Sequence, residues 1–262
     1  ILRSARHRAS RVTTRRNSCS GPPPWRHGAM TKTSRIDTAR RAELVAFGAN
    51  QTSAEPGRDC PLCPRLVDYR VSVRAREPDW FNAPVPSFGN PDAALLIVGL
   101  APGLQGANRT GRPFTGDYAG DLLYATLLKY GFAAGHYQAR PDDGLTLVDC
   151  RISNAVRCVP PQNKPMPVEI NTCRAFLLAT LATMPRLQAI VALGRVAHES
   201  TVKALGLRAA AAPFAHGAVH QAGQVRLYDS YHCSRYNTNT RVLTPAMFES
   251  VFAQVREYLG PR

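Results

Sequence analysis

Residues 93–117 read AALLIVGLAPGLQGANRTGRPFTGD, an apolar run that ends in a loop rich in Gly and Pro. Such a run, followed by a helix-like segment from Tyr118, predicts a buried strand delivering a stiff backbone loop to a site. Comparable apolar runs recur downstream, so four core strands are expected: Ala94 to Gly99, Leu145 to Asn154, Gln188 to Leu193 and Val225 to Tyr231. Helix-like segments lie between or after them, at Tyr118 to Tyr130, Pro167 to Thr183, Arg195 to Leu205 and Pro245 to Leu259. Strands alternating with helices predict an α/β fold, a parallel sheet covered on both faces, with chemistry at the carboxyl ends of the strands. The loops at those ends open with Gly99, Asn154, Gly194 and His232.

Upstream, Ser34 to Asn50 has helical spacing, with Leu44, Val45 and Phe47 on the expected buried face. Next comes RDCPLCPRL, where Cys60 and Cys63 sit in a Pro-broken loop, and then residues 71–92, rich in Pro, Arg and aromatics and expected as a covering loop. Residues 1–29 hold seven Arg, no acid and the run Pro22 to Pro24, and read as a disordered basic leader. Met30 reads as a natural start, with the leader as upstream read-through and residues 30–262 as a single domain. The 262 residues carry a formal charge of +15, which favours a polyanionic partner such as nucleic acid. Neither a secretory signal nor a transmembrane run is present in the sequence, so the bacterial cytosol and nucleoid are the expected location.

Seven cysteines are spread along the chain. Cys60 and Cys63 form one pair; Cys158 and Cys173 form another, flanking the fourteen residues VPPQNKPMPVEINT. In a reducing compartment this pattern reads as metal ligation, and its spacing suits zinc or an iron–sulfur cluster alike. Cys150, inside an apolar run, reads as a buried small hydrophobe. The segment GANRTGRP misses the phosphate-loop pattern because Arg112 and Pro113 stand where Lys and Ser or Thr are required, which argues against nucleotide hydrolysis.

Three segments in order, GLAPGLQGANRTGRPFTGD, ISNAVRCVPPQNKPMP and SYHCSRYNTNT, resemble the motifs of the iron–sulfur uracil-DNA glycosylases, specifically family 5, the type B enzymes. The resemblance covers about Asp59 to the C-terminus. It implies a three-layer α/β/α sandwich around a four-stranded parallel sheet, and a structural 4Fe-4S cluster held by Cys60, Cys63, Cys158 and Cys173. It departs from family 4 at Leu100, where a loop beginning GEAPG would supply a carboxylate, and from the usual HPS motif at Cys233. The implied enzyme is a monofunctional, monomeric glycosylase that acts on double- and single-stranded DNA containing uracil, and on other deaminated bases such as hypoxanthine. The competing readings are a non-catalytic, metal-stabilised nucleic-acid-binding module and an electron-transfer protein.

A glycosylase must hold an extruded base and stabilise the charges that develop as the N-glycosidic bond breaks. Gly99, Leu100, Ala101, Pro102 and Gly103 are expected to shape the pocket, and Phe114 to stack on the base. Asn154 would read the base edge, His232 would donate to a base carbonyl, and Asp117 would position water beside the sugar. From residue type alone, Phe114 also reads as core, Asn154 as a strand-end turn residue and Asp117 as a helix N-cap. Ser234, Arg235 and Tyr236 are the expected wedge into the DNA groove, with Arg109, Arg112 and Arg157 as phosphate or loop contacts. In these loops the only Lys is Lys164, beside Cys158, so a Schiff-base mechanism is not expected.

Overall fold

The computed structural model describes residues 54–260. The basic leader and the helix expected over Ser34 to Asn50 lie outside the described residues. Strand β1, Leu95–Gly99, is buried along its whole length and pairs in parallel with β4, Cys150–Asn154, on one side and β5, Ala189–Leu193, on the other. Strand β7, Val225–Ser230, pairs in parallel with β5, and β6, Val219–Ala222, adds an antiparallel edge strand. The sheet order is β4-β1-β5-β7-β6. The four expected parallel strands are therefore present, and the sheet has a fifth strand the sequence reading omitted. Strand β6 is joined to β7 by the tight turn at Gly223, and its half-exposed, largely polar residues hide it from a search for apolar runs.

The two faces of β1 show why the sheet must be covered twice. Leu95 and Ile97 enter one core with Leu123, Tyr124 and Leu127 of α3, Tyr118–Lys129, and with Phe248, Val251 and Phe252 of α7, Pro245–Leu259. Leu96 and Val98 enter a second core with Leu177 of α4, Pro167–Ala182, and with Ala197 and Val202 of α5, Arg195–Ala204. Alternation along a strand apolar on both faces produces the α/β/α sandwich. A third, smaller cluster joins Leu66 of α1, Pro64–Arg76, to Val156, Cys158, Cys173 and Phe176.

Two expected boundaries are corrected. The strand predicted from Leu145 is broken: Thr146–Leu147 (β3) forms a small ribbon with Ala133–Ala134 (β2), and β4 starts only at Cys150. Asp149 adopts a left-handed backbone, φ 51°, and its carboxylate accepts from the Ala94 amide at 2.9 Å, so the chain turns there. The covering loop expected over 71–92 opens as helix, because Pro64 follows Cys63 at the first helical position and α1 runs on to Arg76. The short helices α2, Ala107–Thr110, and α6, Arg235–Asn239, complete the set. Among the described residues, no helix is long and apolar enough to cross a membrane.

The polar core also titrates. His198 Nδ1 lies 2.7 Å from Asp229 Oδ1, and its Nε2 lies 2.9 Å from the Ala212 carbonyl; His220 Nε2 meets Asp229 Oδ2 at 3.1 Å. Both His198 partners are acceptors, so both are satisfied only by the imidazolium. Desolvation pulls the His198 pKa down, but the hydrogen bond and charge of Asp229 and the Ala212 carbonyl outweigh it, and the net shift is upward. The sign follows from linkage: the stabilisation is complete below the unfolded value of 6.5 and is lost as pH rises through the higher folded value. Urea unfolding measured from pH 5 to 9 should show this alkaline decline, and His198→Gln should flatten it.

Candidate active site

Register brings the site together. Gly99 and Asn154 are paired at the carboxyl ends of β1 and β4, and β7 ends two residues before His232. A cavity of about 450 Å³ opens there. Leu100 to Gly103, Phe114, Asp117, Asn154, His232, Ser234 and Arg235 all line it. Gly99 lies behind this wall: a Cβ on it would overlap Asn154 Oδ1 and the Phe114 ring, so those side chains approach each other only because position 99 has none. Tyr236 does not line the cavity but is 74% exposed, one residue beyond it.

Phe114 is buried, 7% exposed, and takes the left-handed backbone, φ 53°, which is costly for a bulky residue. Its carbonyl accepts from Tyr137 Oη at 3.2 Å, and its ring lies 6.1 Å from the His232 ring at an interplanar angle of 28°. Phe114 therefore packs in the core and also lines the cavity. Asn154 is 3% exposed, and its Oδ1 is buried without a protein hydrogen-bond partner. A buried amide acceptor left open in a cavity is a group waiting for a ligand donor.

Asp117 holds the N-cap position of α3, yet its side chain makes no capping hydrogen bond. Its carboxylate packs against Gly103 and Gly106, where a Cβ on Gly106 would overlap it, and its Oδ1 is buried without a partner. Burial raises its pKa, although the amides of Gly120 and Ala119 favour the charged form. His232 is half-buried in the cavity wall, and desolvation lowers its imidazole to about 4, so it is neutral at pH 7 and can donate one N–H. Cys233, which stands in place of the motif's usual Pro, is fully buried, and its thiol donates to the Ala119 carbonyl at 3.4 Å. That contact ties the His232 segment to the start of α3, beside Asp117. Ser234 caps α6 by accepting from the Asn237 amide at 3.3 Å.

Four lining residues were missed from the sequence: Ala107, Tyr118, Ala119 and Asn163. Tyr118 lies under the Arg235 guanidinium, 5.2 Å from its ring centroid, so the two walls meet at the mouth. Its position after Asp117 was the available signal. Of the two roles expected for Arg112 and Arg157, phosphate or loop contact, the hydrogen bonds favour the loop, against the DNA contact expected of Arg112. Arg112 is 5% exposed, forks onto Asp143 at 2.8 and 2.7 Å, and bonds Thr115 Oγ1 at 2.7 Å. Arg157 is 1% exposed and meets Glu55 at 2.7 Å and Thr180 Oγ1 at 3.0 Å. Both guanidiniums are consumed inside the protein, whereas Arg109 and Arg235 remain exposed.

The two cysteine pairs converge. Cys60, Cys63, Cys158 and Cys173 line one small pocket with Leu66, Val156 and Phe176. Arg70 donates to Cys158 Sγ at 3.5 Å, and the Arg157 amide donates to Cys173 Sγ at 3.3 Å. Arg65 of α1 grips Glu169 of α4 at 2.7 and 2.8 Å, fastening the helix that follows Cys63 to the helix that carries Cys173. Among the described residues, the one triple of His, Cys, Asp or Glu donor atoms lying within 4.8 Å of one another is His198, His220 and Asp229. The cysteine sulfurs are thus spread wider than the roughly 3.8 Å edges of a tetrahedral zinc–sulfur site. A four-sulfur set around an apolar pocket, with N–H groups aimed at two sulfurs, fits a larger inorganic core.

Comparison with known proteins adds an independent line. The family model described as "Uracil DNA glycosylase superfamily" matches residues 86–256. A type-5 uracil-DNA glycosylase of Thermus thermophilus is 44% identical over 208 residues, 77% of this chain and 94% of that protein. Its Mycobacterium leprae counterpart is 43% identical over 212 residues, 77% of this chain and 92% of its own length. A type-4 enzyme of Pyrobaculum aerophilum is 32% identical over 181 residues, 67% and 78% of the two chains.

The Arg112 fork gives a structural prediction. Arg112→Ala strands the buried Asp143 carboxylate and should cost about 3 kcal/mol in denaturant unfolding. The same change should leave the salt dependence of DNA binding unaltered, whereas Arg235→Ala should reduce its slope by about one.

Proposed function

This chain belongs to the uracil-DNA glycosylase superfamily, and on that premise we propose that it excises uracil from DNA by hydrolysing the N-glycosidic bond. The observation that carries this reading is the cavity itself. Phe114, Asn154, Asp117 and His232 come from three strand ends to one space, with two buried oxygens left open. A non-catalytic binding module would gain nothing from such costly unpaired groups.

The extruded uracil lies against the Phe114 ring, and its N–H edge satisfies Asn154 Oδ1. As the bond between C1′ and the base nitrogen lengthens, its electron pair moves onto the base and positive charge grows on the sugar. Neutral His232 donates its N–H to the base carbonyl that gathers the negative charge. The Asp117 carboxylate stabilises the sugar cation, orients water toward C1′ and takes the proton that this water sheds. The products are free uracil and an intact abasic site. Among the described residues no Lys lines the cavity, which supports direct hydrolysis over a Schiff-base route. Leu100 sets an apolar side chain where a polar one would select among bases, so hypoxanthine and other deaminated bases enter as further substrates.

Cys60, Cys63, Cys158 and Cys173 would hold a 4Fe-4S cluster. When bound, it supplies a structural cross-link between α1 and the loop leading into α4, with no part in bond cleavage. Residues 30–262 act as one domain and as a monomer on double- or single-stranded DNA in the cytosol.

Uracil release from a single-uracil oligonucleotide tests the reading. Asp117→Asn should lower the single-turnover rate by about 10² to 10⁴, and His232→Ala by about 10² to 10³. Because Asp117 must be ionised and its pKa is raised, the rate should fall on the acid side from above the ordinary carboxylate value, and that limb should vanish in Asp117→Asn. Unchanged rates in both variants would remove the mechanism. Protein purified without oxygen should be brown with iron near four per chain, and Cys158→Ser should lose both the colour and thermal stability.

A further inference from the structure

The fourteen residues between Cys158 and Cys173 do more than space two ligands. In their first half, Gln162 and Asn163 are consecutive non-Gly residues with left-handed backbones, both at φ 55°. A left-handed backbone strains residues that carry a Cβ, and such strain persists where the surroundings impose it and concentrates at functional sites. The turn is held on both sides. Pro160 and Pro161 precede it, and the Lys164 carbonyl accepts from Arg65, whose guanidinium also grips Glu169. The consequence of this shape is specific: Asn163 reaches the wall of the active-site cavity, whereas Gln162 does not. The Asn163 side chain is exposed and makes no hydrogen bond within the described protein.

We propose that Asn163 is a further substrate-binding residue, whose amide N–H groups donate to the sugar–phosphate backbone of the extruded nucleotide at the cavity mouth. The assignment rests on the glycosylase reading and extends it. Asn154 sits deep and reads the base; Asn163 stands at the rim and is exposed, where a flipped nucleotide's backbone passes on its way in. An amide is suited to this place because it donates to phosphate or sugar oxygens without selecting a base. Asn also tolerates the left-handed backbone better than most residues, so one residue satisfies both the turn and the contact. The cysteine site thereby acquires a second purpose: it fixes the ends of the segment that presents Asn163.

Strain and function predict opposite responses, which makes the test sharp. Asn163→Gly relieves the backbone and removes the amide. It should melt at the same temperature as the parent or higher, while binding a duplex containing a tetrahydrofuran abasic analogue about tenfold more weakly. Gln162→Gly relieves the same kind of strain without touching the cavity, and should gain stability with unchanged binding. Asn163→Asp keeps the turn but points a carboxylate at phosphate, and should bind more weakly than Asn163→Gly. Full-strength binding by Asn163→Gly and Asn163→Asp, with the parent releasing uracil, would overturn this proposal and leave the enzymatic reading intact. Failure of the parent to release uracil would instead overturn the reading on which it rests.

Discussion

The site depends on a missing side chain. At the carboxyl edge of the sheet, parallel register sets Gly99 beside Asn154, and the Phe114 ring is folded into the same space. Only a residue without a Cβ lets the amide and the ring share it. Because β1 is central and buried on both faces, its end is fixed by the two cores, and the loop that follows inherits that rigidity. Strain at Phe114 is the local cost of bringing the ring back over the strand end, and it is offset by packing rather than by local preference.

The loops around this edge are held by buried and half-buried ion pairs. Arg112 and Asp143 clamp the segment that carries Phe114; Arg157 and Glu55 fasten the segment after β4; His198 and Asp229 fix β7 before it delivers His232. Pairs of this kind are weak sources of net stability, because desolvation offsets most of their attraction. Their directional bonds do fix where a loop can lie, which suits walls that must hold an open amide oxygen and an open carboxylate oxygen a fixed distance from a neutral imidazole. The basic composition suggested a polyanionic partner, and Arg112 and Arg157 were expected as phosphate or loop contacts. Once folded, both serve the scaffold, and the surface charge that remains near the cavity includes Arg109 and Arg235.

The cysteine site and the cavity are neighbours through the chain as well as through function. Val156 and the Arg157 amide lie two and three residues after Asn154, and the turn that brings Asn163 to the cavity lies between Cys158 and Cys173. A cluster there would stiffen one wall of a pocket whose opposite wall is stiffened by the sheet.

Much of this was legible in the chain because it is local. Apolar runs marked the four parallel strands to within a few residues, except where Asp149 interrupts one, and Pro167, Pro245 and Arg195 opened helices where expected. Phe114, Asp117, Asn154 and His232 each adjoin a strand end or a Gly-rich loop, but residue type left their roles open and the motif resemblance singled them out; the cysteine spacing suited zinc or an iron–sulfur cluster, and the resemblance implied the cluster. The sequence by itself determined the layered fold, the strand ends that carry chemistry and the residues that converge there, since periodicity and loop composition are properties of neighbours. Tertiary structure alone decided which arginines are spent on Asp143 and Glu55, that the Asp117 carboxylate lines the cavity from the N-cap position of its helix, and that Asn163 and Tyr118 join the wall. The physical reason is that burial, pairing and pKa arise from groups distant in sequence, and no residue carries them until the sheet has set its register.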